Sequence, residues 1–209
     1  MALRAVTFDY GMVLSGPPHP EAIHELRRIT GLSHHDFDRH YWADRLDYDR
    51  GLLTGLAFWQ KLVADAGLSL SAEDILLLND WDVRMWTTTN PTMLAWHTQL
   101  KTKGFRTGIL SNMGDSVHEK MLADFAWIED FDVLVWSYEH RMVKPEPEIY
   151  HLLLDKLGTA PEETLFLDDK LENIEAARRL GIQGIQFSTV EQLRQDLISS
   201  GLDESLPLP

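Results

Sequence analysis

Apolar residues along this chain fall into two recurring patterns, short β-rich runs and longer stretches of helical period. Leu3–Phe8, Arg106–Leu110, Val133–Ser137, Thr164–Leu167 and Ile182–Phe187 are brief, nearly continuous apolar runs, the signature of strands buried on both faces. Between them the period lengthens. Met93, Trp96 and Leu100 fall at i, i+3 and i+7 within Pro91–Thr102, and Gly104 stops that helix. Pro145–Leu157 opens on Pro and acids and closes at Gly158, while Asn173–Leu180 ends on Arg178, Arg179 and Gly181. Strand and helix alternating in this order predict a parallel sheet covered by helices through right-handed crossovers.

One stretch breaks the alternation. From Gly16 to Asn90 no strand pattern occurs, and Glu21–Ile29, Leu56–Ala66 and Ala72–Leu78 read as amphipathic helices. Another helix begins at Ser33, an N-cap with Asp36 three residues on, ahead of Phe37, Tyr41 and Trp42. The expected organisation is an α/β core of residues 1–15 and 91–209, interrupted by a helical cap of residues 16–90. Gly201–Pro209, with two prolines, is expected to fray.

Composition narrows the class. The 209 residues hold 33 acids against 19 Lys plus Arg, a net charge of −14, with 44% apolar residues and no Cys. That suits one sizeable folded core and excludes disulfides, thiolate metal sites and a cysteine nucleophile. The acidic balance disfavours nucleic acid as a partner. Asp9 interrupts the N-terminal apolar stretch, and no run approaches the ~18 residues of a membrane span, so a cytoplasmic protein without membrane contact is expected.

Ligands of open parallel sheets bind beyond the carboxyl ends of the strands. Those ends carry Asp9-Tyr10-Gly11, Ser111-Asn112 and Asp168-Asp169, with Lys144-Pro145 in the loop after the third strand. Paired carboxylates with oxygen ligands suit Mg²⁺, which binds through one or two carboxylates plus substrate phosphate. A strand-end carboxylate can also attack phosphorus while a lysine and neutral donors balance the charge.

Four segments in order carry a resemblance: Asp9-Tyr10-Gly11-Met12-Val13-Leu14, Ser111-Asn112, Lys144-Pro145-Glu146-Pro147-Glu148-Ile149-Tyr150, and Phe166-Leu167-Asp168-Asp169 running on to Ala177. Over nearly its whole length the chain resembles capped, phosphatase-like members of the haloacid-dehalogenase-like (HAD) superfamily. The resemblance implies a Rossmann-like core with a helical cap inserted after the first strand. It implies Asp9 as nucleophile and metal ligand, Asp169 and the Gly11 carbonyl as further ligands of Mg²⁺, and Asp168 in support. Ser111 and Asn112 would bind the transferring phosphoryl group, which Lys144 would neutralise while holding Asp9.

The resemblance departs at Gly11, where most phosphatases of the superfamily place a second Asp as general acid. The leading expectation is a Mg²⁺-dependent phosphatase of a small phosphorylated metabolite, such as a sugar phosphate, acting through an aspartyl-phosphate. A 2-haloacid dehalogenase and a non-catalytic relative that binds a phosphorylated ligand are the alternatives. A phospho-accepting receiver domain has no room for the helical insertion. Asp47 and Asp49 are cap acids to test as surrogate proton donors, although solvated turn positions describe them better. His34, His35 and His40 with Asp36 and Asp38 read as a polar helix face rather than a metal site. Trp42, Trp59, Trp81 and Trp86 read chiefly as core, with one or two free to wall the site.

Overall fold

A computed structural model describes residues 2–209; Met1, the first residue of the expected core segment, lies outside them. Five parallel strands, β1 (Ala5–Phe8), β2 (Arg106–Ser111), β3 (Val133–Trp136), β4 (Thr164–Asp168) and β5 (Gln183–Gln186), form one sheet in the order β3-β2-β1-β4-β5. Each lies on its expected run, shifted at the ends by one or two residues. Five helices intervene between β1 and the next core helix: α1 (Pro20–Thr30), α2 (His34–Ala43), α3 (Arg45–Asp49), α4 (Gly55–Asp65) and α5 (Ala72–Met85). The rest of the chain supplies α6 (Pro91–Thr102), α7 (Asp115–Asp124), α8 (Ser137–His140), α9 (Pro147–Leu157), α10 (Leu171–Arg179) and α11 (Val190–Ser199).

The period of two along each strand divides the core. Val6, Phe8, Ile109, Leu165 and Leu167 face one layer with Trp96 of α6, Met121 of α7 and Leu193 of α11. Ala5, Leu110, Val135 and Phe166 face the other, with Leu153 of α9 and Ile174 of α10. A third apolar cluster draws only on residues 22–85, around Phe37, Tyr41, Phe58 and Trp59. The chain enters and leaves this helical segment along paired connections, bridged at Ser15 and Thr89, with Gly16 N–H donating to the Thr88 carbonyl and Asn90 N–H to that of Leu14.

Several sequence expectations need correction. The C-terminal tail does not fray: Leu206 is fully buried and Leu208 nearly so, and Arg194 donates to the carbonyls of Leu208 and Pro209. Two apolar side chains at a spacing of two outweigh the flanking prolines. Helix α9 starts at Pro147 rather than Pro145, because Glu146 is an extended N-cap and Glu146 N–H closes a turn on the Val143 carbonyl. Asp47 and Asp49 belong to the short helix α3 rather than a turn, and Asp49 is buried. Helix α5 runs seven residues past Leu78, and α7 and α11 form where no helix was expected. Ser33 does cap α2 by accepting from Asp36 N–H. No helix among the described residues is long and apolar enough to cross a membrane.

Candidate active site

The switch in strand order falls beside β1, so the crevice opens at the carboxyl ends of β1 and β4. Parallel register aligns Phe8 with Leu167, which sets the next residues, Asp9 and Asp168, side by side. After Asp9 the chain makes one wide turn over Tyr10–Leu14, closed by Ser15 N–H on the Tyr10 carbonyl. Met12 is held there at φ 61°, a left-handed conformation costly for a residue other than glycine, with its N–H donating to Ser15 Oγ at 3.0 Å.

Asp9, Asp168 and Asp169 each present an oxygen within 4.8 Å of the others. Opposite ligands of an octahedral ion at ~2.1 Å stand ~4.2 Å apart, so the donor set and its spacing fit a Mg²⁺-sized ion. It is the one such cluster among the described residues, and His34, His35 and His40 form none. His34 instead pairs loosely with Asp38 on the exposed face of α2.

Lys144 is buried between two of these acids, its Nζ 2.6 Å from Asp168 Oδ2 and 3.0 Å from Asp9 Oδ1. Burial opposes its charge, but Asp168 and then Asp9 outweigh burial and hold its pKa above the usual lysine value. Burial works the other way on Asp9, pushing its pKa up to about 6; Lys144 opposes this, whereas Asp168 and Asp169 add to it. Asp169, half-buried, is also raised, by burial and by Asp168. Three carboxylates facing one ammonium leave an excess of buried negative charge, and a divalent cation is the natural remedy.

Each carboxylate is oriented differently. Asp9 Oδ1 accepts from Tyr10 N–H at 2.7 Å, and the Ser111 hydroxyl lies beside the carboxylate. Asp168 accepts from Lys144, from Lys170 N–H at 2.8 Å and, on its two oxygens, from Asn173 Nδ2 at 2.9 and 3.0 Å. The Asn112 side chain clamps the Lys144 backbone, accepting from Lys144 N–H at 2.8 Å and donating to its carbonyl at 3.0 Å. It thereby fixes the lysine, and the second N–H of its amide is not engaged among the described residues.

Above this floor lies a cavity of about 390 Å³ that contains every sequence-selected site position except the deeper Asp168. The helical segment contributes its roof through Pro18, Trp42, Arg45, Asp49 and Trp86. Trp42 and Trp86 therefore wall the site, whereas Trp59 is fully buried core and Trp81 packs at the edge of the same cluster. Arg45 and Asp49 are both buried and joined by an Nε–Oδ1 bond of 3.0 Å. Arg45 also meets Tyr41 and, at 3.3 Å, Asp82. Burial raises the pKa of Asp49 and Arg45 opposes the rise.

Helix α3 is fastened to the core. Arg50 grips Glu146 with two bonds of 2.9 and 2.6 Å, and Ser137 donates to the Asp49 carbonyl. Tyr48 packs on Gly114, where any Cβ would overlap its ring. Asn173 and Arg45 are lining positions that the sequence did not single out, whereas Asp49, one of the two cap acids considered as proton donors, does line the chamber and Asp47 does not. For Asn173 a signal existed, an amide on the first turn of a helix five residues after a strand-end Asp.

The sequence profile of the haloacid dehalogenase-like hydrolase family matches residues 4–181. A Mycobacterium tuberculosis protein named as a phosphatase is 26% identical over 204 residues, 95% of this chain and 93% of that protein. Bifunctional epoxide hydrolase 2 of Rattus norvegicus is 36% identical over 126 residues, 57% of this chain; the match spans only 23% of that relative's length. Among solved structures, an HAD family enzyme of Bacteroides thetaiotaomicron in complex with magnesium and inorganic phosphate superposes with a TM-score of 0.75 at 22% identity. That likeness covers 92% of this chain and 99% of the other, and establishes the shared fold.

Proposed function

The chain belongs to the haloacid dehalogenase-like hydrolases, and on that premise we propose that it is a Mg²⁺-dependent phosphatase of small phosphomonoesters with Asp9 as its nucleophile. The observation that carries this reading is the trio of carboxylates, Asp9, Asp168 and Asp169, set around the one ammonium of Lys144 at a single crevice. Displacement of halide from carbon needs no divalent cation and gives no reason to gather three acids there. Asp9, Asp169 and the Gly11 carbonyl would hold Mg²⁺, with Asp168 behind them; when bound, the ion neutralises the phosphoryl oxygens and draws Asp9 into its ionised form.

The protein's own groups do the rest. Lys144 and the Tyr10 N–H fix Asp9 Oδ1, so the carboxylate is oriented before the ester arrives. Asp9 attacks phosphorus, the bond from phosphorus to the alcohol oxygen breaks, and an aspartyl-phosphate forms on Asp9. Lys144 and the Ser111 hydroxyl offset the charge on the transferring group. Water then cleaves the acyl-phosphate, returning Asp9 and releasing phosphate. The inserted helices act as the cap of this site, excluding bulk water from the chamber. With Gly at position 11, the departing alkoxide takes its proton from water rather than from a carboxylic acid at that position.

A panel of phosphomonoesters offered to the purified protein with Mg²⁺ or with EDTA tests the reading. The expected result is phosphate release that EDTA abolishes. Halide release from 2-haloacids in EDTA, without phosphatase activity, would replace it with the dehalogenase reading.

A further inference from the structure

The walls of the chamber above Asp9 are apolar, not only by residue type but by how their polar atoms are engaged. Met12, Pro18 and Val117 offer no side-chain hydrogen-bonding group. Tyr10 spends its hydroxyl on the Trp86 carbonyl, 2.6 Å away. The two charged roof groups, Arg45 and Asp49, satisfy each other, and Arg45 is further tied to Asp82 and Tyr41. The Trp86 indole Nε1–H and Asn173 Oδ1 are without partners among the described residues but are themselves buried, and Lys170, exposed on the lining, is the charged group there that no carboxylate pairs among the described residues. Trp42, at the rim, adds an aromatic face that is 56% exposed.

A polyhydroxylated alcohol entering this space would exchange water for walls of Met12, Pro18, Trp86 and Val117 that leave most of its oxygens unanswered. Hydroxyl groups buried without partners are strongly disfavoured, whereas a hydrocarbon body of the same shape gains from leaving water. Resting on the phosphatase reading above, we propose that the ester's alcohol is a compact apolar body, cyclic or branched. Polyols and sugars are disfavoured by the same walls, contrary to the sugar phosphate expected from sequence.

Two esters isolate this property. Glucose 6-phosphate and cyclohexylmethyl phosphate are both primary alkyl phosphates of a six-membered ring, and the second lacks the hydroxyls and the ring oxygen. Wild-type protein with Mg²⁺ is expected to turn over cyclohexylmethyl phosphate with kcat/KM at least 10-fold higher, and Trp42→Ala to shrink that ratio through KM. Equal or reversed specificity overturns the proposal. Calorimetric Kd values for the same esters on Asp9→Asn decide the question independently of turnover. Tighter binding of cyclohexylmethyl phosphate supports it; equal or weaker binding, or no binding of either, overturns it. If wild type hydrolyses neither these nor any other phosphomonoester, the phosphatase reading fails, and the Kd ranking still judges the walls.

Discussion

The Lys144 ammonium lies 2.6 Å from Asp168 Oδ2, closer than its 3.0 Å to Asp9 Oδ1, and both carboxylates are screened from solvent with it. Asp168 is thus the anchor of the lysine, and Asp9 the group that the anchored lysine steers. Removing the ammonium strands two buried acids. Lys144→Met is expected to lower kcat/KM by about 10²–10³-fold and, as the loss of one side of a buried ion pair, to cost about 3–5 kcal/mol of stability. Denaturant unfolding with and without Mg²⁺ checks the second part, since added Mg²⁺ is expected to restore some of the loss.

Gly11 is open to repair. A Cβ built there meets no atom within 4 Å, and its φ of −61° suits any L-residue. Gly11→Asp is therefore expected to fold normally and to place a carboxyl where the leaving alcohol needs a proton. Positioned general acids contribute ~10²–10⁴-fold, and a retrofitted one is expected to raise kcat on alkyl phosphates by about 10-fold or more. Unchanged kcat in a folded variant would show that another group already supplies the proton.

Asp168 and Asp169 are adjacent but differently employed. Asp168 is saturated by Lys144, Lys170 N–H and Asn173, whereas Asp169 lines the chamber. Asp169→Asn is expected to weaken Mg²⁺ activation more than Asp168→Asn, and Asn173→Ala by about 10–100-fold, as for a residue that orients a ligand from behind. Mg²⁺ titrations of activity on the three variants give the ranking.

The floor of the site was legible because strand ends and acids coincide. Phe8-Asp9 and Leu167-Asp168-Asp169 are apolar runs stopped by carboxylates, a pattern that has few explanations other than a cation or a cap. The roof was legible only in part, in its Trp residues and in Asp49 as a candidate acid. Arg45 and Asp49 look like ordinary charges at i, i+4 of a helix, and it is tertiary packing, of Arg45 on Tyr41 and Asp82 and of α3 on Ser137, Tyr138 and Glu146, that buries them over the crevice. Asn112 shows a different limit: its position beyond β2 was readable, but its engagement with the Lys144 backbone depends on a loop arriving from 32 residues away. The buried tail, with Leu206 in the sheet's own core, likewise reflects tertiary contact overriding local composition.

His97 offers a pH test remote from the crevice. It is stacked on Phe131 at 3.7 Å and shares a hydrogen bond with Thr107 Oγ1. Burial, and secondarily Lys101, lowers its pKa from 6.5 to about 4. Because the folded value is depressed, the unfolded chain binds the proton first as pH falls. His97 contributes its full stability above pH 6.5 and loses it progressively towards pH 4. His97→Gln is expected to flatten the Tm–pH curve in that window while leaving its form above pH 7 unchanged.

The most direct measurement is phosphate release and acid-stable capture of labelled phosphate on the protein, in Mg²⁺, for wild type and Asp9→Asn. The account predicts turnover and transient labelling in wild type, and neither in a folded Asp9→Asn. Undiminished Mg²⁺-dependent phosphate release by Asp9→Asn would contradict it.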